Sequence, residues 1–341
     1  MVSVAVVGVG AVGGVMAARL ALAGAAEVTV CVRSPLGGLR LQLPDGSTQT
    51  VPDRGLNELS DATRATTSDW VLLATKAHQT TGAAQWLHRL CGPATRVAVL
   101  QNGVEHHERV APLVGNARIL PTVVAISAEP LRRGHIQLFN EPRIVVPDNA
   151  DGHAFENLCA GSGVAVDRTD DFLTASWAKL CLNVANGAVT ALTQQRIPVF
   201  RNPNIARLGR ALVEEARLVG TAAGAHLPED LADQVLARLQ AMPPEAGSSM
   251  LWDRIAGRPL EHDARNGAVV RVGARFGIPA PYNETVTALL DAVSGSQQDV
   301  AGSGQRPDPG RNEVEDNAPE HGHRGDDTEA DEVGLRRRFV R

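Results

Sequence analysis

The chain has 341 residues, room for about two domains, and 43% of them are hydrophobic, enough for a sizeable core. Aromatic residues make up only 3% and the net charge is −5, which argues against a nucleic-acid binder that stacks on bases or neutralises phosphates. Cys31, Cys91, Cys159 and Cys181 stand far apart, against a zinc site or disulfide framework; with neither a charged leader nor an apolar run of ~18–20 residues, a soluble cytoplasmic protein is expected.

In chain order, Ser3–Val7 is a short β-branched run, Val12–Ala23 an Ala/Leu-rich helix ending near Gly24, and Val28–Val32 a second short run. Trp70–Thr75 and Val97–Leu100 repeat the pattern. Such runs are too short for helices and suit strands buried on both faces. Strand, helix, strand in this order predicts a parallel sheet with right-handed crossovers. Arg118–Val146 reads as further strands, with turns at Pro130–Gly134 and Asn140–Pro142.

From about Asp170 the spacing becomes helical, over Thr174–Leu192, Ile205–Ala223, Glu229–Leu239, Ser248–Ala256 and Asp263–Phe276. The segment from Ser294 to Arg341 is rich in Gly, Pro and charge, and holds 11 acidic and 7 basic residues, −4 of the total −5. It buries too little to offset its ordering entropy and is expected to be disordered. The predicted architecture is α/β: an N-terminal Rossmann-type parallel-sheet domain (1–168), an all-helical C-terminal domain (169–293) and a disordered C-terminal tail (294–341).

Gly8-Val9-Gly10-Ala11-Val12-Gly13 lies between the first strand and the first helix. The first Gly permits a tight turn, the second lets a pyrophosphate approach the backbone, and the third lets helix and strand pack closely. The phosphates then meet free N–H groups at the helix N-terminus. An NAD site places an acidic residue about 20 residues past the glycines, for the ribose 2′-OH. Here the second strand ends in Val32-Arg33-Ser34, a guanidinium and a hydroxyl that suit a 2′-phosphate, so NADP(H) is expected. A surface Arg on an Arg-rich chain is the alternative.

Only two lysines, Lys76 and Lys179, stand among 33 basic residues. Lys can release a proton and Arg cannot, so both are candidates for chemistry. Lys76 follows the strand Trp70–Thr75, and Asn102-Gly103 follows Val97–Leu100. Both fall where open α/β sheets bind ligands, although Asn-Gly is also an ordinary turn dipeptide. Lys179 and Asn183 are i,i+4 on one helical face among apolar neighbours. Partial burial would lower the Lys179 pKa toward a value useful for proton transfer, unless the side chain snorkels to solvent. Ser249 and Asp253 share a helical face, and Glu261 follows Gly257-Arg258-Pro259, where it is either a ligand-gripping carboxylate or one that serves a helix dipole.

Over residues 3–290 the chain resembles the ketopantoate reductase family. The resemblance rests on the N-terminal glycine motif, Arg33, Lys76 in T-K-A-H-Q-T, Asn102-Gly103, the K-L-x-x-N run at Lys179–Asn183, and the Ser248–Gly267 run. It implies NADPH-dependent reduction of 2-dehydropantoate to (R)-pantoate in pantothenate biosynthesis. Lys179 would be the proton donor, with Glu261 setting its state and touching the ligands. Arg33, Lys76, Asn102 and Glu261 would serve the cofactor with the glycine loop; Asn102, Asn183, Asn186, Ser249 and Lys179 would hold the 2-oxo acid.

Three features depart from the family. Gly187 stands where a second Asn is common, with Asn186 one residue early; Leu260 stands where Thr is common; and the tail has no counterpart. A reductase of another branched 2-oxo acid, and a non-catalytic NADP-binding sensor with the tail as its interaction arm, are the alternatives. The sequence leaves the oligomeric state open, a homodimer included.

Overall fold

Strand β1 (Val2–Val7) is apolar and buried from Val4 to Val7, as a strand covered on both faces must be. After it come α1 (Ala11–Ala23), β2 (Ala26–Cys31), β3 (Arg40–Gln42), β4 (Thr48–Thr50), β5 (Asn57–Leu59), β6 (Trp70–Leu73), α2 (Ala84–Leu90), β7 (Arg96–Val99), α3 (His106–Val114) and β8 (Arg118–Pro121). The computed structural model describes residues 1–52 and 55–303. Six of these strands form a parallel sheet in the order β5-β2-β1-β6-β7-β8. Chain direction across the sheet reverses between β1 and β6, which is where such sheets bind ligands.

Register places the binding loops along one edge. Val7 pairs with Cys31 on one side and Leu73 on the other, and Leu73 pairs with Val99. The glycine loop, Arg33, Lys76 and Asn102 therefore follow the same level of four adjacent strands.

One face of the sheet packs on α1 through Val15, Met16 and Leu20, the other on Trp86 and Leu87 of α2. Outside α1 lies a four-stranded sheet, β10 (Ala128–Arg132), β11 (His135–Leu138), β3 and β4 in that order. Gly14 of α1 allows this contact, because a Cβ there would collide with the Ile136 side chain. A third sheet joins β9 (Val123–Ala125), β12 (Arg143–Pro147) and β13 (Ala165–Thr169) and packs on α4 (Ala150–Cys159).

The remainder is helical: α5 (Phe172–Thr193), α6 (Pro203–Ala222), α7 (Leu231–Gln240), α8 (Ser249–Ile255), a π-helical turn (Asp263–Gly267), α9 (Ala268–Phe276) and α10 (Pro281–Ser303). Trp177, Leu180, Val184 and Ala188 of α5 bury against Leu212, Ala216 and Val219 of α6 in their own apolar core. The predicted helix Asp263–Phe276 is thus a π turn running into an α-helix, a feature common at functional sites.

The sequence reading has no counterpart to α10. Buried Glu215 of α6 accepts from the Tyr282 and Asn283 backbone N–H groups at 2.9 Å each, satisfying donors at its N-terminus. α10 also passes Ser294, where the tail was placed; the Ser294 hydroxyl is buried and accepts from the Leu260 N–H at 3.2 Å. The rest of the tail, 304–341, lies outside the described residues. No helix among the described residues is long and apolar enough to cross a membrane.

Candidate active site

The glycine loop fits a dinucleotide. Gly8 has φ +97°, and a Cβ there would lie 2.6 Å from the Thr75 backbone nitrogen, so only Gly can stand this close to β6. A Cβ on Gly13 would collide with the Gly8 carbonyl oxygen. At Gly10 nothing lies within 4 Å of the Cβ position, the open space a pyrophosphate needs. No side chain caps α1 at Gly10, which leaves its first N–H groups, with Ala11, Val12 and Gly13, for an anion. Arg33 is exposed two residues beyond β2 and makes no hydrogen bond or ion pair among the described residues.

Lys179 lies on α5 and lines a narrow cleft with Gln101, Asn102, Thr122, Ser176 and Asn183. Burial pushes its ammonium below the usual lysine range, and the nearby Arg265 and Arg238 charges push the same way. It makes no hydrogen bond or ion pair among the described residues. Asn183, one turn on, donates to Asn102 Oδ1 at 3.3 Å, and Asn102 donates to Glu261 Oε2 at 3.3 Å. Helical face and sheet edge are thereby joined by three predicted residues. Gly103 makes the approach possible: its φ is +112°, and a Cβ would stand 2.7 Å from the Ala264 carbonyl oxygen of the π turn.

Glu261 is buried to 3% exposure and collects donors from both halves. Its Oε1 accepts from the Ala77 N–H at 3.1 Å, and its Oε2 faces Lys76 Nζ at 3.4 Å and Arg265 Nη2 at 3.3 Å. Burial alone would raise its pKa, but the Lys76 and Arg265 charges and the Ala77 N–H prevail and hold it at about 2. Glu261 makes no hydrogen bond or ion pair with Lys179 among the described residues; it reaches the Lys179 cleft through Asn102. Lys76 also pairs with Asp253 of α8 at 2.8 Å, and Asp253 with Arg258 at 2.8 Å.

Ser249, an exposed residue, opens α8, and its hydroxyl accepts from Arg265 Nη2 at 2.9 Å in a part-buried hydrogen bond. Asn186 and Gly187 lie about 20° and 80° from Lys179 around an ideal helix. Asn186 is thus nearer the Lys179 face; its Oδ1 is buried without a partner, and its side chain is not tied to the Asn102–Asn183 pair. A larger hollow of about 360 Å³ beside Cys91 and Val114 contains none of these residues.

Arg265 and Asp253 were not chosen from sequence as site residues. Arg265 is four residues past Glu261, a helical spacing that could have flagged it, but one Arg among 31 carries little signal. His106 was missed as well: its Nε2–H donates to the Gln101 carbonyl at 3.0 Å and steadies the strand end that carries Asn102.

A parallel sheet with a glycine loop at its switch point, and a helical part that brings one half-buried lysine to the same edge, define a nicotinamide-dependent oxidoreductase. The profile described as "Ketopantoate reductase PanE/ApbA" matches residues 4–151, and "Ketopantoate reductase PanE/ApbA C terminal" matches 171–294. A 2-dehydropantoate 2-reductase of Caulobacter vibrioides is 43% identical over 297 residues, 86% of this chain and 100% of that protein. The chain belongs to the ketopantoate reductase family.

Two solved structures agree with this. A PanE/ApbA family ketopantoate reductase from Ralstonia eutropha superposes with TM-score 0.78 at 31% identity, over 87% of this chain and 99% of that one. A dimeric ketopantoate reductase from Staphylococcus aureus gives 0.76 at 25% identity, over 87% of this chain and 100% of that one.

Proposed function

We propose that this protein reduces 2-dehydropantoate to (R)-pantoate with NADPH, as a cytoplasmic enzyme of pantothenate biosynthesis and a homodimer. The observation that carries the reading is Lys179: a half-buried ammonium with a lowered pKa, unpaired among the described residues, in a cleft with Asn102 and Asn183. When bound, the reduced nicotinamide supplies a hydride to the 2-oxo carbon.

Lys179 polarises the carbonyl oxygen as ammonium and protonates it as the negative charge develops. Its lowered pKa makes the proton easier to release. Asn102 and Asn183 hold the substrate against it. Glu261 stays ionised and fixes Lys76 and Arg265, while Arg33 and the α1 N–H groups take the phosphates. Arg33 in place of an acidic residue supports NADPH over NADH.

Steady-state turnover of a panel of branched 2-oxo acids, followed by loss of NADPH absorbance, tests the reading. The highest kcat/KM is expected for 2-dehydropantoate. A clear preference for another 2-oxo acid would replace the substrate, and no turnover on any would remove the activity. Light scattering of the purified protein tests the dimer.

A further inference from the structure

Arg265 is the most buried cation described in the site, 2% exposed, yet its hydrogen bonds are incomplete. Nη2 donates to Ser249 Oγ at 2.9 Å and to Glu261 Oε2 at 3.3 Å. Nε is buried with no partner, and Nη1 makes no hydrogen bond among the described residues. A buried guanidinium with unmade hydrogen bonds is costly. Nor does its carboxylate belong to it alone, since Glu261 also serves Lys76, Asn102 and the Ala77 N–H.

Gly187 explains how the guanidinium reaches this place. A Cβ on Gly187 would stand 2.9 Å from Arg265 Nη1 and 2.9 Å from Met250 Sδ. Gly187 is two turns beyond Lys179 on α5, with Asn183 between them. The missing side chain leaves Nη1 against the same helix that carries Lys179 and Asn183, and Arg265 is close enough to lower the Lys179 pKa. Lys76, Arg258 and Arg265 share the carboxylates of Asp253 and Glu261, three cations to two anions, so Arg265 has no carboxylate of its own.

We infer that Arg265, admitted by Gly187 and backed by Ser249, binds the substrate carboxylate and sets the preference for 2-oxo acids over neutral ketones. A carboxylate accepts from two parallel N–H groups, which Arg presents in a fixed fork and Lys does not. The Ser249 hydroxyl already accepts from Arg265, so its own hydrogen is left to donate to the same carboxylate. The inference rests on the proposed 2-oxo acid reduction and names its specificity residue.

The test measures kcat and KM for 2-dehydropantoate and for its neutral primary amide, with NADPH saturating, in the wild type, Arg265→Gln and Arg265→Lys. NADPH affinity and thermal midpoint are measured alongside. Arg265→Gln is expected to raise KM for the acid by about 30-fold or more, as loss of charge-assisted hydrogen bonds does. Whatever it costs the amide through Lys179 and Glu261, the loss of kcat/KM should be at least about tenfold larger for the acid, so the preference for acid over amide collapses. Arg265→Lys keeps the charge without the fork and should fall between; it remains decisive if the Gln variant does not fold.

An unchanged acid-to-amide ratio in the folded variants would overturn the role of Arg265 while leaving the proposed activity intact. Equal losses on both substrates would make Arg265 a structural partner of Glu261 and also overturn it. A wild type that turns over no 2-oxo acid would overturn both readings.

Discussion

Lys76 Nζ stands 2.8 Å from Asp253 Oδ2, so the residue that ends the β6 loop is paired with a buried carboxylate of α8. The same ammonium faces Glu261 at 3.4 Å. Lys76→Ala leaves both carboxylates short of a cation, but Arg258 still serves Asp253 and Arg265 still serves Glu261. The Lys76 side chain is 38% exposed, which weakens the pair further. The expected loss is therefore about 1–3 kcal/mol, read by urea unfolding at neutral pH. A loss below about 0.3 kcal/mol would show that the pair adds no net stability.

Lys179→Ala should lower kcat by about two orders of magnitude or more, because a preorganised cation at a developing oxyanion is worth a few kcal/mol. NADPH affinity should change little. Near-normal kcat in this variant would remove Lys179 from the chemistry.

The pH profile follows from the same side chain. Burial first, then Arg265 and Arg238, lower the Lys179 pKa, so the ammonium is lost earlier as pH rises. The alkaline limb of kcat should lie below the ordinary lysine range near ~10.4. Replacing Arg265 by Gln removes one of the lowering charges and should move that limb upward. A limb that stays in place would mean that another group sets it.

Arg33→Asp should weaken NADPH far more than NADH, since an aspartate repels a 2′-phosphate and accepts from a 2′-hydroxyl. Titrating both cofactors by fluorescence gives the ratio directly. Equal losses would place Arg33 away from the 2′-phosphate.

His106 makes folding stability depend on pH. Burial lowers its pKa from 6.5 to about 4, against the bond to the Gln101 carbonyl, which raises it. Below pH 6.5 the unfolded chain takes up a proton that the folded protein refuses until about pH 4. Stability from this group is therefore complete above pH 6.5 and falls as pH drops through that window. The loss amounts to about 2–3 kcal/mol by pH 4.5. His106→Gln should flatten that part of the stability–pH curve in denaturant titrations; an unchanged curve would mean that His106 is not its source.

Local pattern alone carried the central sheet, the glycine loop and most of the helices. Val4–Val7 and Trp70–Leu73 are apolar without interruption because both faces are covered, and α5 reads as a helix from its own spacing. Lys179, Asn183 and Asn102 were legible as well, since helix spacing and strand ends set their places. Only the tertiary structure decided the rest. Thr48–Thr50 is short, polar and partly exposed, and becomes a strand only because Arg40–Gln42 lies beside it. Helix α10 depends on a glutamate in α6 that caps it from far along the chain. The site has the same origin: Lys76 meets Asp253, and Arg265 fills the space over Gly187, through contacts between distant segments. Periodicity reports which face of an element is buried, whereas these contacts depend on which elements packing brings together.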